Sequence, residues 1–232
     1  MLGTRAAQEH PGQPYTGFKL AHAVLAADNR RAGFAGLSIG AQRVYGTTAE
    51  ASCVWSGRHA PPRRRCGCGF YCLNSLAEAR ALSCATANRA AVLLEVVASG
   101  RFIRYERGLR YSRQRVRAVR VGPCGCGRPA SVSPVAGRGL VGWRQLMPSC
   151  AACAAHRSLV AFGSFAARLS GAVPVIADEG VATWPGAPAD GPADADVIAA
   201  LGAEITLVHA RLDHLQAQLS RLEGGPSGAG SG

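Results

Sequence analysis

Lysine is almost missing from this 232-residue chain: of its 26 Lys and Arg residues only Lys19 is lysine. Positive charge is therefore carried by guanidinium forks, which pair with phosphate oxygens. A nucleotide-binding Gly-x4-Gly-Lys loop is absent. Acidic residues are scarce over most of the chain. Residues 1–171 hold 24 basic and 6 acidic side chains, net +18, whereas residues 172–232 hold 2 and 8, net −6. A basic body followed by an acidic tail points to a polyanionic partner for the body. The alternative is that the arginine content follows genome base composition.

Long apolar runs are also missing. The richest stretch, residues 90–98, is interrupted by Glu95 and falls short of the ~18 residues a membrane span requires. The first residues have no secretory apolar core. These features lead us to expect a soluble, cytoplasmic protein with no membrane partner. Nine cysteines in such a compartment favour metal ligation over cross-linking. Metalloprotease-type His-Glu-x-x-His is lacking, and so is the His-x-Glu or Cys-x-Glu that accompanies Pro-Cys-x-x-Cys in nucleobase deaminases; Pro148 precedes Cys150 by two positions, not one. The chain is accordingly expected not to be an enzyme.

What is present is a dense set of soft ligands. Cys53, His59, Cys66 and Cys68 are spaced Cys-x5-His-x6-Cys-x-Cys, a donor set suited to a tetrahedral zinc ion. Gly57, Pro61, Pro62, Gly67 and Gly69 supply the turns that fold backbone around an ion. The plainer alternative is cysteines buried as small apolar groups. Further on, Cys124-Gly-Cys126 and Cys150-Ala-Ala-Cys153 form the paired pattern of a four-thiolate knot, with His156 a spare ligand. Cys72 and Cys84 flank a short helix read at 74–82, with Ser75 and Glu78 as its capping box, and are expected to be packing residues. A set of four protein ligands closes a zinc site to water, so both ions are expected to be structural.

Residues 92–97, 101–106 and 109–121 read as two or three antiparallel strands, with Ser99-Gly100 as a turn. Arg101, Arg104, Arg110, Arg113, Arg115 and Arg117 lie among them, with Tyr105 and Tyr111 interleaved. Together with Arg63, Arg64 and Arg65 they form the expected nucleic-acid surface, arginines on phosphates and tyrosines on unpaired bases. The alternative is a solvated strand edge protected by charge.

The pattern Ala51-x-Cys53…His59-Ala60-Pro61…Cys66-x-Cys68-Gly69-Phe70-Tyr71, followed by the Ser-Leu-x-x-Ala helix and Glu106-x-Gly108-x-Arg110, resembles a group of uncharacterised actinobacterial and phage-associated proteins sharing a Cys-x-Cys-Gly-Ile-Tyr-Ala core. The resemblance covers roughly residues 15–121. It departs at Phe70 and Cys72, where that group has Ile and Ala. It implies a zinc site and a fold and carries no activity.

A short apolar helix is read at 158–169, and a Pro-rich linker over 172–196. Ile198, Leu201, Ile205, Val208, Leu212, Leu215, Leu219 and Leu222 then repeat at 3-4 spacing, the seam of a coiled coil, with a dimer favoured. The organisation expected is a disordered lead-in (1–14), a first zinc-binding domain (15–121), a second zinc knot (122–171), the linker, a coiled coil (197–223) and a disordered tail (224–232). The fold class is α+β: a small zinc-stabilised body of antiparallel strands and two metal knots, plus a C-terminal coiled-coil helix. The function expected is non-enzymatic, oligomeric nucleic-acid binding with two Zn2+ per chain. The alternative is a protein-interaction adaptor with a zinc-stabilised head.

Overall fold

The computed structural model describes residues 14–37, 43–53, 57–83, 88–135, 140–154 and 158–178, with backbone alone at 132–134. The heptad segment, the acidic tail beyond residue 178, the lead-in up to residue 13, Cys84 and His156 lie outside the described residues. Strands dominate, as β-branched and aliphatic runs dictate. Three long ones, β1 (Tyr15–Ala26), β6 (Ala91–Tyr105) and β7 (Gly108–Val121), form the frame. β1 pairs antiparallel with β6, and β6 with β7. The short β5 (Phe70–Leu73) pairs with β7 along its whole length and touches β1 at Phe18↔Leu73, so the four strands close on themselves. This closure needs two glycines: a Cβ on Gly17 would lie 2.4 Å from Cys72 Sγ, and one on Gly108 2.1 Å from the Cys72 carbonyl oxygen.

Around the ring, β2 (Ala32–Ala35) and β3 (Val44–Tyr45) extend the sheet beyond β1, and β4 (Thr48–Glu50) lies beside β7. α1 (Leu76–Ser83) begins where the Ser75 hydroxyl accepts from the Glu78 N–H, and it buries Ala79 near Leu20, Ala91 and Leu93. β8 (Val132–Pro134) pairs with β10 (Leu159–Ala161), and β9 (Trp143–Gln145) pairs with β1. α2 (Phe162–Ala166) is followed by β11 (Val175–Ala177), parallel to β7. No helix among the described residues is long and apolar enough to cross a membrane.

Four expectations change. Ser99-Gly100 is not a turn, because the hairpin reverses at Glu106-Arg107 between Tyr105 and Gly108. Gly100 instead takes a left-handed φ of +74° inside a bulge, and the Ser112 hydroxyl accepts the Arg101 N–H that the bulge releases. The helix expected over 158–169 is only α2, since Leu159–Ala161 is claimed by pairing with β8. The second knot is not separate from the first domain: β9 lies on β1, and the Leu146 N–H donates to the Ala23 carbonyl. The expected linker starts too early, because β11 is part of the sheet and Asp178 receives two bonds from the Arg80 guanidinium at 2.5 and 2.9 Å.

A file of five rings, Phe165, Phe34, Tyr45, Phe70 and Tyr111, runs through the core with neighbouring centroids 5.4–6.1 Å apart. The chain's one lysine meets it. Lys19 Nζ lies 4.9 Å from the Tyr45 centroid and 4.7 Å from that of Phe70, with Gln114 Oε1 at 3.5 Å. Burial pulls its pKa from 10.5 to about 8, partly offset by nearby Cys72. A base whose folded pKa is depressed binds fewer protons than in the unfolded chain between those two values, so folding gains stability as pH rises through that window. In chemical denaturation, Lys19→Met should therefore gain most over the parent below pH 8. Its advantage should shrink steadily up to about pH 10.5, and a pH-independent difference would contradict the buried amine.

Candidate metal centres and the arginine face

The first centre is assembled where β4 and β5 flank β7. The Ala51 N–H donates to the Ser112 carbonyl at 2.7 Å, fixing the approach to Cys53. The Cys66 N–H donates to the Arg63 carbonyl, and two residues later Cys68 leads into β5. Ligand atoms of Cys53, His59, Cys66 and Cys68 all lie within 4.8 Å of one another. Cys53 and Cys66 sulfurs are 3.8 Å apart, and His59 Nε2 stands 3.3 Å from Cys68 Sγ. Sulfurs about 2.3 Å from a tetrahedral ion are about 3.8 Å apart, whereas a disulfide needs about 2.05 Å. Spacing and donor set thus fit a metal, and all eight described cysteines are thiols.

The second centre collects Cys124, Cys126, Cys150 and Cys153 within the same limit, with Cys126 and Cys150 sulfurs 3.6 Å apart. Two tight turns build it. The Gly127 N–H donates to the Cys124 carbonyl, Gly127 itself sits at φ +82°, and the Ala154 N–H donates to the Cys150 carbonyl. Burial opposes the Cys124 thiolate, but N–H groups of Cys126 and Cys150 and the Ser149 hydroxyl bring its pKa down to about 6. Cys153, hydrogen-bonded among Cys126, Cys150 and Cys124, is pushed up to about 12. Metal binding at such a cluster displaces protons. Cys124 and Cys150 are buried, Cys126 and Cys153 exposed.

Cys72 is no ligand. It is a buried core residue whose thiol burial pushes up to about 11. A cleft of about 520 Å³ opens beside the first centre, lined by Arg43, Arg58, Cys53, His59 and Pro61 among others.

Of the arginines expected on one surface, Arg63, Arg64, Arg65, Arg104, Arg113, Arg115 and Arg117 are exposed, and Arg101 is half-buried. Arg113 is paired with Glu50 at 2.5 Å. Arg110 does not belong with them. It is 4 % exposed and clamps the first centre: Nη1 donates to the Cys66 carbonyl at 2.5 Å and Nη2 to the Arg63 carbonyl at 3.1 Å. Position on the strand alone could not reveal this, because its partners are backbone carbonyls of a distant loop. The tyrosines also divide differently. Tyr111 is fully buried with its hydroxyl donating to Gln114, while Tyr71 and Tyr105 are half-exposed.

No protein-family model, curated protein or solved structure matches the chain. One motif escaped the reading of the sequence. Residues 36–40 spell Gly-Leu-Ser-Ile-Gly, the Gly-x-Ser-x-Gly of a hydrolase elbow. That elbow requires a helix directly after it, whereas the next described element is strand β3; residues 38–40 themselves lie outside the described residues.

Metal analysis of the purified, reduced protein should give two ions per chain. Cys66→Ser or Cys124→Ser should each lower the count to one, and Cys72→Ser should leave two. A count unaffected by either ligand change would refute the assignment. Arg110→Met should weaken the first centre about 10- to 100-fold in chelator competition, as loss of a ligand-orienting partner does, without touching the second.

Proposed function

We propose that this chain is a zinc-stabilised, non-enzymatic nucleic-acid-binding protein. Four-ligand sets rich in thiolate select zinc among common divalent ions and leave no position for water, so the metals hold the fold and do no chemistry. One observation carries the reading. Among the described residues Arg63, Arg64, Arg65, Arg115 and Arg117 are exposed and make no ion pair, on a body nearly devoid of acidic neighbours. Unneutralised guanidinium groups repel one another, and a polyanion relieves that repulsion while releasing its counterions. The heptad pattern at 198–222 supports self-association, which would multiply weak phosphate contacts through avidity.

Fluorescence anisotropy with a labelled mixed-sequence duplex, and with one of its strands alone, tests this. Affinity should fall steeply between about 50 and 200 mM salt, and Arg115→Gln with Arg117→Gln should reduce the log–log slope by about one unit per arginine. Absence of binding to duplex and single strand alike at low salt, or an affinity indifferent to salt, would remove the proposal.

A further inference from the structure

The outward face of the β5–β7–β6 sheet carries an aromatic arrangement that the arginine reading does not use. Across β5 and β7 Tyr71 stands opposite Arg110, and across β7 and β6 Arg110 stands opposite Ile103. Tyr105 is two residues further along β6, opposite Gly108, which has no side chain to cover the ring. The Arg110 guanidinium lies 5.7 Å from the Tyr71 ring centroid and 5.9 Å from that of Tyr105. Both tyrosines keep about half their surface in solvent, 49 % and 47 %. The arrangement is rigid: the Tyr71 hydroxyl donates to the Gly67 carbonyl at 3.0 Å, and Arg110 is tied to the metal loop.

Two half-exposed tyrosines around an immobilised guanidinium are costly to leave in water, and each ring offers a flat apolar face. The adjoining loop presents Arg63, Arg64 and Arg65. Flat π-surfaces beside a line of cations match one ligand chemistry: unpaired bases on a phosphate backbone. Double helices keep their bases stacked on each other and present no such faces. We infer that the Tyr71–Arg110–Tyr105 platform stacks bases of single-stranded nucleic acid, with Arg63–Arg65 on the neighbouring phosphates. The inference rests on the nucleic-acid reading above and narrows it to unpaired strands.

The test compares three probes at one salt concentration: an oligothymidylate of about 12 nucleotides, within the span of one small-barrel site, an oligouridylate of equal length, and a duplex. The parent protein should prefer the single strands, and the two arms show whether DNA or RNA is favoured. Tyr71→Leu and Tyr105→Leu should each weaken single-strand binding roughly 5- to 100-fold, leaving the salt slope and the duplex affinity unchanged. Tyr105→Phe should restore binding, since the ring and not the hydroxyl is needed. Should Tyr71→Leu lose metal, Tyr105→Leu decides alone, since among the described residues the Tyr105 hydroxyl has no hydrogen bond to the metal loop. Equal affinity for duplex and single strand, with leucine variants like the parent, would overturn the platform while leaving the arginine surface standing. Failure of all three probes at low salt would overturn both.

Discussion

Everything in this fold hangs on a four-residue strand. β5 is where the ring closes, where the first metal loop ends, and where Tyr71 emerges on the outer face. It fits only because β1 and β7 offer glycines at 17 and 108, where any Cβ would overlap Cys72. So short a strand contributes few hydrogen bonds of its own. It stays in place because its N-terminal end is anchored by Cys66 and Cys68, and because Arg110 binds the loop's carbonyls from the neighbouring strand. The cysteine loop, the guanidinium and strand closure therefore form one unit, which a metal ion at the tetrad would tighten.

The second centre does the same work at the other end of β7. Cys124 follows that strand almost directly, and the turns around it lead to β9, which lies along β1. The core these strands enclose is built largely of alanine, valine and leucine, with one file of aromatic rings. Such a core is thin for a chain carrying this much positive charge. An ion held by each tetrad would supply folding free energy that apolar burial alone would otherwise have to provide.

Much of the site was legible in the sequence. Both metal tetrads are residue-for-residue the ones that spacing indicated, because short Cys-x-Cys and Cys-x-x-Cys pairs leave the backbone few ways to fold. The capping box at Ser75 was equally local. What escaped depends on contacts distant along the chain. Arg110 looks like its neighbours on the strand and differs only in meeting carbonyls more than 40 residues away. β11 sits in a segment whose prolines and small residues read as linker, and only its pairing with β7 makes it a strand. Tyr71 and Tyr111 could not be told apart without knowing which face each strand turns inward.

The same difficulty hides in the β6–β7 hairpin. Strict alternation from Leu109 and Tyr111 to Val119 and Val121 would turn Arg113, Arg115 and Arg117 into the core. They are exposed because the pairing slips by one residue between Ser99 and Phe102 and slips back between Glu95 and Val96. In the interval Gln114 and Val116 face inward instead. The hairpin thus behaves as a strand with a phase reversal at its centre, which lets one continuous ribbon show rings near its tip and cations along its middle. A chain of this kind tolerates exchange of side chains far better than loss of a residue. Deleting Gly100 would leave composition and charge almost untouched, yet would abolish the bulge on which the offset between the two halves of the ribbon depends.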